Sequence, residues 1–178
     1  RGGLVNQDGY AHRAVTFVEN HDSQRDGEID GLHRYKYHAY AYILLHERGI
    51  PKVYWKDLYA YGMKDGVAKL MDARQRFAHG RGYTWDDACD HEVYAYVREG
   101  LDHIPDSGCV LLLAKGGQDA EAVRRIQTKR PSTKFVDWTG NRKETVTTDG
   151  DGWGDCAVNR SEGRGWSVWV PLNNESNS

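Results

Sequence analysis

The sequence lacks the features that mark several common classes of protein. Its three cysteines, Cys89, Cys109 and Cys156, are too few and too widely spaced to predict a disulfide framework or a CxxC metal site. The 24 basic and 26 acidic side chains leave a formal net charge of −2, without the basic excess of nucleic-acid or acidic-membrane binders. No apolar run approaches the roughly 20 residues needed to cross a bilayer. We therefore expect neither a nucleic-acid nor a membrane partner.

Aromatic residues are abundant and mostly amphipathic. The chain has 6 Trp and 11 Tyr but only 3 Phe, and its 39% hydrophobic and 28% charged residues suit a packed core. Trp and Tyr combine an apolar ring with a polar tip, which suits stacking on sugar rings as well as packing at interfaces. On composition alone, ordinary core and surface aromatics are the simpler interpretation.

The first 81 residues alternate between strand and helix patterns. Residues 14–18 (AVTFV) form an apolar, β-branched run typical of a strand buried on both faces. Helical spacing follows over 32–48, then a second short strand over 53–55 and a second helix over 67–78. The apolar face of the first helix is predicted to consist of Leu32, Tyr35, Ala39, Ile43 and His46. This succession predicts βαβ units, whose strands pair in a parallel sheet.

The pattern changes after about Gly82. Short strand-like runs separated by turn residues predict an antiparallel sandwich or barrel. The predicted strands cover residues 93–98, 109–114, 123–127, 135–138, 144–148, 155–158 and 166–170. We therefore predict an α/β unit over 1–81 and an antiparallel β-domain over 82–178. Because two βα units cannot close a parallel sheet, the first unit is expected to pack against something outside this chain or to be incomplete.

Four polar residues, Glu19, Asn20, His21 and Asp22, follow the first predicted strand directly. In (β/α)₈ barrels the catalytic residues lie at the carboxyl ends of the strands. A carboxylate beside an imidazole at such an end can hydrogen-bond the hydroxyls of a sugar and stabilise positive charge developing on its ring. The alternative is structural, with Asp22 capping the following turn and His21 as an ordinary loop residue.

Residues 14–24 (AVTFVENHDSQ) resemble the fourth conserved region of the α-amylase family of glycoside hydrolases, F-V-x-N-H-D. Residues 39–44 and 49–54 are similar to the seventh barrel helix and eighth barrel strand of that family, and 73–78 to its last barrel helix. Segments of the C-terminal β-domain are similar to residues 97–100, 139–142, 152–154 and 167–171. The resemblance covers essentially the whole chain. It implies the last βα units of a (β/α)₈ TIM barrel followed by an antiparallel β-sandwich domain.

The resemblance also implies roles for individual residues. Asp22 matches the third catalytic carboxylate, which stabilises the transition state, and His21 matches the histidine that hydrogen-bonds the sugar at the cleavage subsite. Trp55, at the end of the second predicted strand, is a weaker candidate for stacking on sugar, with a core aromatic as the alternative. The implied parent activity is hydrolysis of internal α-1,4-glucosidic bonds of starch- or glycogen-like glucans with retention, so the expected partner is an α-glucan.

The nucleophile and the general acid of the family lie on its fourth and fifth barrel strands, ahead of the strand that residues 14–18 resemble. Only 13 residues precede Ala14, and they contain no Glu. We therefore expect a partial α-amylase that is inactive alone and whose partner is the missing N-terminal part of the barrel. The alternative is a non-catalytic glucan-binding protein or a relic fragment. The start, Arg1-Gly2-Gly3, carries no signal-peptide pattern, and secreted and cytoplasmic locations both stay open.

No cofactor site is visible in the sequence, because its eight histidines include no HxxxH or HExxH spacing. The resemblance makes calcium possible in a full-length parent, bridging the barrel and the β-domain. The dipeptide His91-Glu92 matches one ligand position, but Lys115 stands in place of the other acid. One hypothesis is that the Lys115 ammonium replaces the metal and pairs with Glu92; a plain surface lysine is the alternative.

Overall fold

The computed structural model describes residues 3–22, 32–161 and 163–172. Its N-terminal half contains a 3₁₀ turn, Leu4–Asn6, and then strands and helices in alternation. These are β1 (Val15–Phe17), α1 (Leu32–Leu45), β2 (Ile50–Lys52), α2 (Trp55–Tyr59) and α3 (Lys64–Arg76). None of the helices within these ranges is long and apolar enough to cross a membrane.

β1 and β2 pair in parallel, with Val15 opposite Ile50 and Phe17 opposite Lys52, and α1 forms the connection between them. This pairing confirms the predicted parallel βαβ unit. The sequence predicts the second strand over 53–55, but the strand lies at Ile50–Lys52, ahead of the apolar run. Pro51 has no backbone N–H to donate, and a proline is therefore unusual in a strand that pairs on both sides. It is tolerated here because, among the described residues, β2 pairs only with β1.

The prediction that the first strand is buried on both faces is wrong for the described structure. The side chains of Val15 and Phe17 are 56% and 49% exposed, as is Ile50 of β2 at 53%. Their shared face is apolar, yet no described element covers it. The sequence pattern therefore predicts that this face is buried, but none of the described residues covers it.

The predicted spacing on α1 is confirmed only in part, because Ile43 packs against the core and His46 against Tyr96, whereas Tyr35 does not face the core. Tyr35 is 40% exposed, whereas Tyr40, Ala41, Leu44 and Leu45 are buried. The backbone of α1 is non-helical at Tyr35 (φ −116°, ψ 15°), which breaks the regular helical spacing on which the prediction rested.

The C-terminal half is antiparallel, as predicted. A six-stranded sheet has the order β3-β4-β5-β10-β7-β8, and β6 and β9 form a separate pair. Its strands are β3 (Gly82–Thr84), β4 (Val93–Arg98), β5 (Cys109–Ala114), β6 (Glu121–Gln127), β7 (Lys134–Asp137), β8 (Thr145–Thr147), β9 (Trp153–Asn159) and β10 (Trp166–Pro171). All seven predicted strands are confirmed, β4 and β5 at their predicted bounds. The short β3 was missed because a glycine begins its three residues.

The six-stranded sheet separates two apolar clusters, because neighbouring side chains of a strand point to opposite faces. On β5, Leu111 packs into the cluster formed with α1 and α3, while Val110 and Leu112 pack into the cluster formed with β6 and β9. Burial of each such side chain stabilises the fold by roughly 1.5–3 kcal/mol. The sheet is therefore the middle layer between helices and the second β-layer.

Helices and sheet share one apolar core across the predicted boundary at residues 81 and 82. The cluster joins Tyr40 and Leu44 of α1 to Leu111 and Trp166 of the sheet. Tyr37 stacks on Trp166, with ring centroids 5.0 Å apart and planes 12° apart. The division into 1–81 and 82–178 remains a prediction.

Two histidines of α1 lie in this helix–sheet interface. His38 Nε2 is 3.0 Å from the carbonyl oxygen of Ala114 on β5. Its Nδ1 is buried and has no hydrogen-bond partner among the described residues. Burial lowers the pKa of His38, although the backbone hydrogen bonds oppose this effect. A second proton at Nδ1 would be placed where no described group accepts its hydrogen bond.

His46 stacks on the ring of Tyr96, with centroids 4.3 Å apart. Burial lowers the pKa of His46, and the guanidinium groups of Arg98 and Arg48 lower it further, against the opposing charge of Glu47. Both imidazoles are therefore held neutral at the interface.

We expect acid to weaken this interface in a defined pH window. The two pKa values lie below 6.5 in the folded protein, so the unfolded chain binds more protons and the free energy of unfolding falls as pH drops below about 6.5. The loss ends once pH passes below the folded pKa values. Urea unfolding between pH 7.5 and 5 measures this slope.

The double variant His38→Gln/His46→Gln is expected to flatten the pH slope. The exposed loop variant His103→Gln serves as the control and is expected to keep the wild-type slope. A double variant with the full wild-type slope between pH 6.5 and 5.5 would contradict the assignment of acid sensitivity to this interface.

Candidate functional site

The predicted site residues His21 and Asp22 follow the carboxyl end of β1. The backbone N–H of Asp22 donates to Asn20 Oδ1 over 2.9 Å, which turns the chain tightly after the strand. His21 Nε2 and Asp22 Oδ1 are 3.6 Å apart, and the two side chains are 84% and 54% exposed. The structure thus brings the imidazole and the carboxylate together at a solvent-accessible edge.

Beneath this edge lies a buried ionic cluster that sequence reasoning missed. Lys36 of α1 is 4% exposed, and its Nζ lies 2.5 Å from Glu19 Oε2 and 2.6 Å from Asp57 Oδ1. Its ammonium also lies 4.9 Å from the centre of the Tyr61 ring. Burial opposes the charged form of Lys36, but the hydrogen bonds to Asp57 and Glu19 outweigh it and raise the pKa of the ammonium.

Asp57 is fully buried in the first turn of α2 and uses both carboxylate oxygens. Lys36 contacts Oδ1, and the hydroxyl of Tyr40 donates to Oδ2. The Tyr40 hydroxyl in turn accepts the backbone N–H of Tyr54 over 3.2 Å. Burial and the bond to Asp57 raise the pKa of Tyr40, so it remains a hydroxyl donor. The signal for this cluster was the four-residue step from Lys36 to Tyr40, one helical turn.

Trp55 is not where the sequence predicted. It begins the helix α2, three residues beyond β2, rather than ending a strand. Its side chain is 58% exposed, which rules out the core-aromatic alternative in the described structure. Tyr59, one helical turn later, is 70% exposed. We call Trp55 and Tyr59 the α2 aromatic pair; their exposed rings offer apolar surface of the kind that stacks on sugars.

The predicted pairing of Lys115 with Glu92 is wrong. Among the described residues, the guanidinium of Arg160 contacts the Glu92 carboxylate, and it also lies 3.0 Å from Asp119 Oδ2. Lys115 is exposed and donates only its backbone N–H, over 3.0 Å, to the Glu92 carbonyl. Arg160 follows β9, far from Glu92 in the sequence, so spacing could not reveal it.

The acidic position at Glu92 does not fit a calcium ion, because a guanidinium already neutralises it. In the ranges that the structure describes, no group of three His, Cys, Asp or Glu side chains could hold a metal ion.

Comparison with known protein families gives a match over the β-domain. The family described as "Alpha-amylase C-terminal" matches residues 120–170, from the start of β6 to β10. The glucan 1,4-α-maltohexaosidase of Bacillus sp. (strain 707) is 33% identical over 165 residues, covering 88% of this chain and 31% of the relative. The α-amylase of Geobacillus stearothermophilus is 35% identical, covering 89% and 29%. The cytoplasmic α-amylase of Escherichia coli (strain K12) is 34% identical, covering 95% and 36%.

Solved structures share the fold. An α-amylase I variant of Eisenia fetida in complex with maltohexaose superposes with a TM-score of 0.66 at 16% identity, covering 96% of this chain and 44% of that one. The α-amylase of Geobacillus thermoleovorans complexed with acarbose gives 0.57 at 15% identity, covering 90% and 39%. The chain is similar to the C-terminal part of α-amylase family enzymes. It spans about a third of the length of the curated relatives it matches.

Proposed function

We propose that this chain contributes one wall of the substrate cleft, together with the C-terminal β-domain, to an α-amylase-type glycoside hydrolase. The observation that carries the proposal is the exposed His21–Asp22 pair at the carboxyl end of a strand in a parallel βαβ unit. In this proposal β1 and β2 are the seventh and eighth strands of a (β/α)₈ barrel, residues 1–81 belong to that barrel, and residues 82–178 form the β-domain.

The proposed substrate is an α-glucan of the starch or glycogen type, cleaved at internal α-1,4 bonds with retention. Relatives in the family are named as α-amylases, and the structural neighbours bind maltohexaose and acarbose, which supports an α-glucan oligosaccharide as ligand. The oxocarbenium-like transition state of glycoside hydrolysis develops positive charge on the sugar ring. An exposed carboxylate such as Asp22 can stabilise that charge and hold sugar hydroxyls.

His21 and Trp55 would complete the sugar contacts. The imidazole of His21 is 84% exposed, and its Nε2 lies 3.6 Å from Asp22 Oδ1, so it can reach the hydroxyls of a sugar bound beside Asp22. The exposed ring of Trp55 offers an apolar face to a glucose unit. Asp22 is thus the transition-state stabiliser, His21 a substrate-binding residue, and Trp55 a weaker stacking contact.

Retaining hydrolysis also needs a nucleophile and a general acid, close together across the glycosidic bond. We assign both to residues outside these 178, on the barrel strands that precede β1, so the isolated chain is expected not to hydrolyse glucan. The chain's own chemistry is then transition-state stabilisation and substrate orientation, not bond cleavage.

The test uses the protein at the length at which its source makes it. Intact mass comes first, because a mass well above 20.2 kDa is required to supply the rest of the barrel. Asp22→Asn is then expected to lower kcat for maltohexaose hydrolysis by about 10²–10³-fold, the range for removing one group that stabilises transition-state charge.

Asp8→Asn is the matched control, because Asp8 is 98% exposed and lies in the segment before β1. It is expected to keep the wild-type kcat. Unchanged hydrolysis by the Asp22→Asn protein would overturn the proposed role. A mass of 20.2 kDa with maltohexaose binding and no hydrolysis would instead favour a non-catalytic glucan-binding protein.

A further inference from the structure

A buried lysine joins the two segments that carry the proposed sugar contacts. Lys36 lies between Glu19 and Asp57, within 2.5 and 2.6 Å of their carboxylate oxygens, and the side chains of the three are 5%, 11% and 0% exposed. Lysine is rarely buried without a partner, because removing an ammonium from water costs several kcal/mol. Here two carboxylates and one aromatic face compensate it.

Each carboxylate belongs to a different segment at the edge of the parallel strand pair. Glu19 immediately precedes Asn20, His21 and Asp22 after β1. Asp57 lies in α2, between the exposed rings of Trp55 and Tyr59. The ammonium therefore forms a direct ionic link between the segment of His21 and Asp22 and the helix that carries the α2 aromatic pair.

We propose that Lys36 is a positioning residue, whose ammonium fixes the segment bearing His21 and Asp22 relative to the α2 aromatic pair and so sets how an α-glucan is held. This inference rests on the proposed function. Lys36 itself is buried and touches no sugar; it acts through Glu19 and Asp57.

The charges of the cluster explain why loss of Lys36 should move the segment that bears His21 and Asp22. The cluster carries two carboxylates and one ammonium, so loss of Lys36 leaves two like charges facing each other in a poorly solvated space. Like charges in such surroundings repel far more strongly than in water. The segment that begins at Glu19 continues into the exposed residues His21 and Asp22 and can move toward solvent, whereas Asp57 is also held by Tyr40. Displacement is therefore expected at Asn20–Asp22 rather than at α2.

The experiment compares Lys36→Met with the neutral triple variant Glu19→Gln/Lys36→Met/Asp57→Asn in the protein at its native length. Lys36→Met is expected to lower kcat on maltohexaose by about 10²-fold, the loss that a displacement near 1 Å can cause. Its Tm should also fall, because two carboxylates lose their partner. The triple variant removes the like-charge repulsion but also the ionic link between the two segments. Much of the Tm should therefore return, while kcat stays low because no ion pair fixes the segment that bears His21 and Asp22.

Lys69→Met is the control for loss of a lysine hydrogen bond elsewhere, because Lys69 Nζ donates to the Thr139 carbonyl over 2.9 Å. It is expected to leave kcat and KM unchanged. A folded Lys36→Met protein with wild-type kcat, KM and acarbose affinity would overturn the proposal. Joint recovery of Tm and kcat in the triple variant would also overturn it, because Lys36 would then act on stability alone.

Failure of the proposed function gives a different result. If the wild-type protein neither binds nor hydrolyses maltohexaose, the proposed function is contradicted. The effect of Lys36 on the position of the His21–Asp22 segment is then measured by NMR. Chemical shifts of the His21 and Asp22 amides should then move in Lys36→Met, while those of the β8 amides stay fixed. Unmoved shifts at His21 and Asp22 would overturn the positioning role.

Discussion

Replacement of Asp137 by alanine is expected to lower the free energy of unfolding by roughly 3–9 kcal/mol, the largest effect of a single polar substitution that we predict. Asp137 ends β7, next to the central strand β10, and is 8% exposed. The loss equals a large part of the stability of an ordinary domain. We therefore expect the variant to be partly unfolded at room temperature.

The size of the effect follows from the hydrogen bonds that converge on this carboxylate. Oδ1 accepts the backbone N–H groups of Thr139 and Val168, over 3.1 and 2.9 Å. Oδ2 accepts the Thr139 hydroxyl over 2.6 Å and the Arg142 N–H over 2.9 Å. Alanine would leave three backbone donors without their partner, at about 1–3 kcal/mol each. Burial raises the pKa of Asp137, and these bonds act against that shift.

Two further variants sharpen the prediction. Asp137→Asn keeps the shape and one acceptor oxygen, but its NH₂ faces the N–H of Arg142, so an intermediate loss is expected. Asp155→Ala removes an aspartate that is 62% exposed and 3.7 Å from Arg125, and its effect should stay below about 1 kcal/mol. Urea unfolding followed by tryptophan fluorescence ranks the three. Equal losses for Asp137→Ala and Asp155→Ala would contradict the account.

The β-domain was predictable because its signals are local. Alternating side chains and turn residues define strands such as β4 and β5 from their own sequence, without knowledge of distant partners. The strand β2 was misplaced for the opposite reason. Residues 53–55 are as apolar as a strand, and only the fold decides that Trp55 begins a helix.

The exposed part of the candidate site could be predicted from the sequence, but the buried ionic cluster around Lys36 could not. His21 and Asp22 are neighbours in a motif, so the sequence suffices to predict their contact. Lys36 meets Glu19 and Asp57 only because a parallel strand pair brings two strand ends to one edge beside α1. Charged residues in a helix pattern normally indicate a solvated face, so the helical step from Lys36 to Tyr40 was not enough to predict that this lysine is buried.

Arg160 illustrates the same limit in the β-domain. Glu92 precedes β4 and Arg160 follows β9, and the sheet topology alone decides that they meet. The family resemblance offered Lys115, which stands in place of an acidic ligand, as the partner of Glu92, but Lys115 is exposed. Contacts between residues far apart in the sequence therefore could not be predicted from local patterns, and they account for the differences between the predicted and the observed site.

Gly80→Ala is the second large effect we expect, a loss of about 3–5 kcal/mol in the free energy of unfolding. Gly80 connects α3 to β3 with a backbone φ of +73°, which alanine adopts at a cost of about 1–2 kcal/mol. A Cβ built on Gly80 would also lie 2.1 Å from the carbonyl oxygen of Gly100. That contact is with backbone, so the chain itself must shift.

The shift would disturb bonds that hold the helices to the sheet. Arg98 donates from Nε and Nη2 to the Gly80 carbonyl over 3.1 and 2.8 Å, and the Gly100 N–H donates to the His79 carbonyl over 3.0 Å. Moving Gly80 away from Gly100 therefore weakens the junction between α3 and β4 as well as relieving the clash.

Gly62→Ala separates the two causes. Gly62 has nearly the same φ, +70°, but no described atom outside its immediate neighbours lies within 4 Å of the position that an alanine methyl group would take, so only the backbone preference is lost. Its expected cost is about 1 kcal/mol, because alanine also restricts the unfolded chain. Urea unfolding of both variants gives the contribution of the close approach as their difference. If Gly80→Ala destabilises no more than Gly62→Ala, the contact between Gly80 and Gly100 does not constrain the junction.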